Sequence, residues 1–171
     1  KFSNFVFNKK ELTLSEIKGG LIFYGKGNCA SCHSGPLFSD LNFYSIPFPQ
    51  IGFGKNGFGV DYGKFNVTFN PDDLYKFRTP PLYNVENTFP YSHSGSVYDL
   101  KESIIYHFDP LRNYKPEEYS EIDRNEYYKK LTSSGSEMEL IPYLDDNELD
   151  NLVDFLKTLS FPAKDQKLTK A

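Results

Sequence analysis

Tryptophan is absent, methionine occurs once, histidine three times and cysteine twice in this 171-residue sequence. Two cysteines cannot build the disulfide framework of a small secreted fold. They also leave a structural zinc site, which needs four ligands, without further thiols to draw on. Basic residues are not in excess: 19 Lys and Arg stand against 23 Asp and Glu, and the formal charge of −4 argues against a generic nucleic-acid binder. No window approaches the roughly 20 consecutive apolar residues of a membrane-spanning helix, so no membrane span is expected. A signal-peptide pattern is missing and the first residue is Lys1, so the chain is expected to be processed or cut from something longer. Internal repeats and low-complexity segments are missing as well.

What the chain does have is aromatic surface: 16 Phe and 13 Tyr make up its 17% aromatic content. Its length suits one domain with a real core. A first helix is expected after Thr13, where Glu16 completes a capping box, and Leu14, Ile17, Leu21 and Tyr24 align as one apolar stripe until Gly25 and Gly27 close it. From about Gly35 to Tyr98 prolines and glycines interrupt every pattern. The density of Phe and Tyr there is wrong for a disordered linker. This region reads as ordered loops packed on something large and apolar that the sequence does not itself supply. Asp99 and Glu102 begin a short helix to about Phe108, ended by Pro110, with His107 on its buried face in the last turn. Pro116 to Leu131 reads as a helix facing solvent, and Ser133 to Ser136 as a turn. A last helix starts at the Asp145 and Glu148 capping box and carries the stripe Leu149, Leu152, Val153, Leu156 and Leu159.

The first helix delivers the chain into Cys29-Ala30-Ser31-Cys32-His33, the C-x-x-C-H pattern of covalent haem attachment. Two thiols one short turn apart can add across the two vinyl groups on one edge of a porphyrin. The adjacent imidazole then lies under the iron as proximal ligand. A thioredoxin-like dithiol would want a βαβ setting, which is not seen. One covalently bound haem c also accounts for the aromatic loops, since it supplies the apolar surface they cover. For the second axial position the candidates are His93, His107, Met138, a Tyr, or none. His107 is favoured because an unpaired imidazole on an apolar helical face is costly to bury. His93 lies in a turn, and Met138 lies in a polar loop between Glu137 and Glu139.

Four blocks carry a resemblance. They are Gly25 to Asp40, Phe77-Arg78-Thr79-Pro80-Pro81-Leu82-Tyr83-Asn84-Val85, Thr88-Phe89-Pro90-Tyr91-Ser92-His93-Ser94-Gly95, and Leu140-Ile141-Pro142 before the final helix. Together, from about Leu12 to Ser160, they resemble the C-terminal haem domain of bacterial di-haem cytochrome c peroxidases and MauG-type proteins. The resemblance implies a mainly α, cytochrome c-like helical haem domain with long irregular aromatic-rich loops. That domain would span residues 13–160, between an interdomain linker remnant at 1–12 and a C-terminal tail at 161–171. It implies His33 as proximal ligand and a sixth ligand fourteen residues after His93, which is His107. The family usually has Met or Tyr at that position, so a bis-histidine iron is a departure. A Met ligand raises the potential of a cytochrome haem, and a second imidazole should therefore make this one a weaker oxidant. Arg78 is implied near the haem propionates, with His93 at the same edge. Backbone carbonyls of Thr88 and Pro90 are implied as ligands of a calcium ion between domains, oxygen ligation suiting a hard cation.

The same resemblance implies a role. This chain would relay electrons to a peroxide-reacting haem on another domain or chain, as part of a cytochrome c peroxidase-type oxidoreductase outside the cytoplasm, as in the periplasm. Only one C-x-x-C-H is present, and an iron with both axial positions filled offers peroxide no open site. Alone, the chain is expected not to turn over peroxide. Its partners would be a second haem domain or subunit and a small redox donor protein, a cytochrome or a cupredoxin. The competing readings are a non-enzymatic monohaem electron carrier or redox subunit of a larger complex, and a sensor haem whose ligand detaches.

Overall fold

Two helices locked face to face carry the core, and both begin at the capping boxes the sequence spells out. The computed structural model describes residues 1–9, 11–51, 60–134 and 142–161. Among them are the helices α1 (Phe2–Asn8), α2 (Leu14–Tyr24), α3 (Phe65–Thr68), α4 (Leu100–Ile105), α5 (Glu121–Ser133) and α6 (Asp146–Lys157). One short antiparallel ladder joins β1 (Phe43–Tyr44) to β2 (Phe77–Arg78), with Phe43 opposite Arg78 and Tyr44 opposite Phe77. The architecture is mainly α, as expected.

At the start of α2 the Thr13 hydroxyl accepts from the Glu16 amide, and the Glu16 carboxylate accepts from the Thr13 amide at 2.7 Å. Asp145 and Glu148 repeat this at α6, at 2.9 and 3.0 Å. Each reciprocal pair satisfies two amides that the first turn of a helix leaves without partners. The face that α2 buries is not the expected one. Leu14 and Leu21 remain 68% and 69% exposed, and Ile17 and Tyr24 are exposed too. The buried face is Gly19, Ile22 and Phe23. Gly19 decides it, because a Cβ there would collide with the backbone carbonyl of Asn151. A bare backbone lets α6 press against α2 at that point, and the helix turns its larger apolar residues outward.

On α6 the expected stripe is buried at Leu149, Leu152, Leu156 and the following Leu159, while Phe155, which the stripe omits, is buried with them. These residues form one cluster with Ile22, Phe23, Phe38, Leu82, Ile105 and Leu144. The first residues join it. Phe2 packs edge-on against Phe38 and Phe155, and its amide donates to the Thr158 carbonyl at 2.9 Å.

The remaining helices differ from expectation in their ends and faces. The helix after Asp99 closes at Ile105, so His107 lies in the tightened turn beyond it, its amide donating to Ile104 rather than one residue further back. A 3₁₀ turn, Pro116–Glu118, and an extended Tyr119 precede α5. α5 does not simply face solvent: Tyr127 and Lys130 are buried, and Tyr127 packs with Val97 and Tyr106 in a second small cluster. Ser133 ends α5 and Ser134 caps it from a buried position. Gly135, Ser136, Met138, Leu140, Ile141 and the tail from Pro162 lie outside the described residues.

Candidate functional site

The C-x-x-C-H segment leaves α2 through a tight reversal. The amides of Gly27 and Asn28 donate to the carbonyls of Ile22 and Gly25 at 2.8 and 2.9 Å. A Cβ on Gly27 would sit 2.9 Å from the Ile22 carbonyl and 3.3 Å from the Cys29 sulfur, so this position takes only glycine without rearrangement. Cys29–Ser31 then form a single 3₁₀ turn, and the His33 amide donates to the Cys29 carbonyl at 2.9 Å. The two thiols thus emerge from one turn. Both are free rather than joined as a disulfide. Burial pushes the Cys29 thiol up to about 12, which keeps it protonated. Its S–H faces the Gly27 carbonyl at 3.5 Å.

His33 is oriented by the loop that follows it. The chain turns back so that the Asp40 amide donates to Cys32 and the Ser39 amide to Ser34, both at 2.8 Å. In that turn Phe38 adopts φ 52°, a left-handed conformation costing a non-glycine residue on the order of 1–3 kcal/mol. Its carbonyl consequently meets His33 Nδ1 at 3.1 Å. A carbonyl only accepts, so Nδ1 carries the proton and Nε2 keeps its lone pair. Burial lowers the pKa of His33, partly offset by the Phe38 carbonyl, Asp40 and the Pro80 carbonyl. The imidazole therefore stays neutral and basic at Nε2.

His107 is held the same way. Its Nδ1 donates to the Ser103 carbonyl at 2.9 Å, one helical turn back, again leaving Nε2 with a lone pair. The Phe48 ring stands edge-on to it at 5.7 Å. Burial pushes His107 down to about 4, and a charge on His33 is the second cause. The two imidazoles are thus near enough for a charge on His33 to disfavour protonation of His107, and each has Nδ1 on a carbonyl. Imidazoles held in this way can each offer Nε2 to a metal. Two thiols and the His33 imidazole from one turn, with a second such imidazole within electrostatic reach of His33, fit a haem c. Among the described residues no three His, Cys, Asp or Glu side chains converge as they would around a bare metal ion.

The other expected residues lie apart. His93 stacks on Phe77 with ring centroids 3.7 Å apart, far more firmly placed than a turn residue need be, and its buried Nε2 has no partner among the described residues. Arg78 stands exposed on β2, opposite Phe43. Thr88 is exposed after the 3₁₀ turn Val85–Asn87, and a cis peptide joins Phe89 to Pro90. Among the described residues the carbonyls of Thr88 and Pro90 accept no backbone hydrogen bond. Lys130 and Phe48 escaped the sequence reading. The Tyr127, Lys130, Leu131 spacing on α5 is a helical face, and a lysine on such a face is the signal that was there to find.

No family model matches the chain. It is 32% identical over 123 residues to the cytochrome-c peroxidase IdrP1 of Pseudomonas sp. (strain SCT), covering 58% of this chain and 32% of that protein. It is also 32% identical over 128 residues to the methylamine utilization protein MauG of Methylorubrum extorquens, covering 70% of this chain and 34% of that protein. The backbone matches the crystal structure of the diheme peroxidase BthA from Burkholderia thailandensis E264 with a TM-score of 0.70 and 25% identity, over 93% of this chain and 45% of that one. The chain therefore spans about a third of the length of the relatives it matches. Likeness in sequence and likeness in backbone point the same way, and the chain belongs to the bacterial di-haem cytochrome c peroxidase and MauG family.

Proposed function

We propose that this chain is the electron-relay haem domain of a di-haem peroxidase-type oxidoreductase, carrying one haem c on Cys29 and Cys32 with His33 and His107 as axial ligands. The observation that carries the reading is the matched pair of imidazoles, both with Nδ1 committed to a carbonyl, beside the two free thiols. Each thiol would add its sulfur and its proton across one vinyl group, with no net change of electrons. When bound, the haem supplies a one-electron iron couple. The chain's own part is to fix both ring planes, to keep both Nε2 atoms unprotonated through burial, and to seal the space with Phe38, Phe48 and Tyr106. With both axial positions filled, the domain passes electrons and leaves peroxide chemistry to a second haem on another domain or chain. Arg78 is assigned to a propionate at the exposed edge. The carbonyls of Thr88 and Pro90 are assigned to a calcium ion whose remaining ligands come from that second domain. A small donor protein, a cytochrome or cupredoxin, would dock transiently, and the whole would operate outside the cytoplasm, where c-type haem is attached.

The test is to mature the chain with a cytochrome c assembly system and assay it alone and together with its companion haem domain. A protein that stains for covalent haem, is reduced by a small cytochrome, and consumes peroxide only with the companion present supports the proposal. Peroxide turnover by the isolated haem-loaded chain contradicts the relay role. A haem-loaded chain that exchanges electrons but never supports turnover in the assembled protein would instead be a plain electron carrier.

A further inference from the structure

Lys130 is the least explained charge in the molecule. Its side chain is 1% exposed, yet among the described residues it forms no ion pair. One N–H donates to the Phe48 carbonyl at 3.0 Å, and the ammonium lies 5.1 Å from the centroid of the Phe77 ring. Its other two donors meet no acceptor among the described residues. The Asp61 carboxylate raises its pKa electrostatically without forming an ion pair with it, and accepts from the Gly63 amide and the Asn66 side chain at 2.8 Å each. A buried ammonium without a counter-ion is expensive.

Phe77 carries a second such group. His93 stacks on it, and the buried Nε2 of His93 has no partner among the described residues either. Two nitrogen groups with unmet hydrogen-bonding capacity among the described residues therefore meet around one ring, close enough that the lysine charge disfavours protonation of the histidine. Nothing in the described chain resolves this, whereas one anion between them would satisfy both. The location narrows the anion. Phe48, whose carbonyl holds Lys130, packs against His107, and β2, which carries Phe77, leads directly to Pro80, whose carbonyl faces His33. Lys130 and His93 thus lie on elements that adjoin both imidazoles.

Resting on the haem reading above, we propose that Lys130, with His93 beside it, receives a haem propionate as a buried ion pair. Arg78, at the solvent edge, is left to the other propionate or to solvent. A porphyrin carries no anionic group other than its propionates, and an ammonium against a carboxylate gives the charge-assisted bond that burial requires. In the chain without an anion, burial drives Lys130 down to about 7 and His93 to about 3. A carboxylate in the pocket restores the charge on the lysine.

The haem-loaded protein tests this through Lys130→Met and Lys130→Arg. Expected results are a lower midpoint potential in Lys130→Met, since the cation that neutralises a propionate is lost, and a potential close to wild type in Lys130→Arg. In resonance Raman spectra a propionate bending band of the wild type should shift in heavy water, keep that sensitivity in Lys130→Arg and lose it in Lys130→Met. A potential and a band unchanged in Lys130→Met would overturn the assignment. Should Lys130→Met fail to load haem, the comparison of wild type with Lys130→Arg decides. Exchange of ammonium for guanidinium must move the band, and identical bands overturn the assignment. A wild-type protein without covalent haem removes the haem reading and this inference together. A haem-loaded protein indifferent to Lys130 removes only the inference.

Discussion

Single residues set the chemistry here by having their alternatives closed off. His107 spends Nδ1 on the Ser103 carbonyl, so its remaining nitrogen can only accept a proton or bind a metal. His107→Ala in the haem-loaded protein should open one axial position, converting the iron to high spin and allowing carbon monoxide to bind the reduced form. His107→Met should keep six-coordination and raise the midpoint potential. Spectroelectrochemistry of the two variants checks both outcomes. The pH dependence of the haem-free chain, prepared with Cys29→Ala and Cys32→Ala, follows from its depressed bases, Lys130 and the three histidines. Burial lowers His93 from 6.5 to about 3 and Lys130 from 10.5 to about 7. In each case the unfolded chain binds the proton first, so the stability is complete above the ordinary value and is lost as pH falls. The urea midpoint should therefore decline from pH 10.5 to 7 on account of Lys130 and again from 6.5 to 3 on account of His93 and His107, with His33 acting in the same direction. Lys130→Met should flatten the upper window alone. Cys29, Cys32 and His33 stood out in the sequence because their spacing fits covalent haem attachment. Lys130 was not, because a lysine in a polar helix reads as solvated until tertiary packing closes over it.

At the scale of the elements, the helix starts were legible and the helix faces were not. A capping box is a local contract between residues three apart, and both contracts are kept. Which side of α2 is buried depends on α6, which lies more than a hundred residues away. The Leu14, Ile17, Leu21 stripe has perfect helical spacing and still faces outward, since Gly19 is the one position where a second backbone can come close. Substitutions should separate the two faces. Phe23→Ala removes a ring that is 1% exposed and should cost about 3–5 kcal/mol of unfolding free energy. Gly19→Val, which drives a side chain into the Asn151 carbonyl, should cost about 1–3 kcal/mol or more. Leu21→Asp on the outward stripe should change stability by about 0.5 kcal/mol or less in the isolated chain. Chemical denaturation of the three variants checks the ranking.

For the whole molecule, the sequence pattern and the backbone agree that the helices form a frame while the long Phe- and Tyr-rich loops close around the site. That division explains why the described loop segments could not be drawn from the sequence: their conformation answers to distant carbonyls, such as that of Asn42 accepting from the Thr79 amide, not to local propensity. Everything built on this frame turns on what binds the iron. The most direct measurement is the low-temperature EPR spectrum of the ferric, haem-loaded protein, read together with its near-infrared magnetic circular dichroism. Two imidazoles, from His33 and His107, predict one fully low-spin iron with the charge-transfer band of bis-histidine ligation. A high-spin signal in the resting protein, or the band of a methionine–histidine iron, would contradict it.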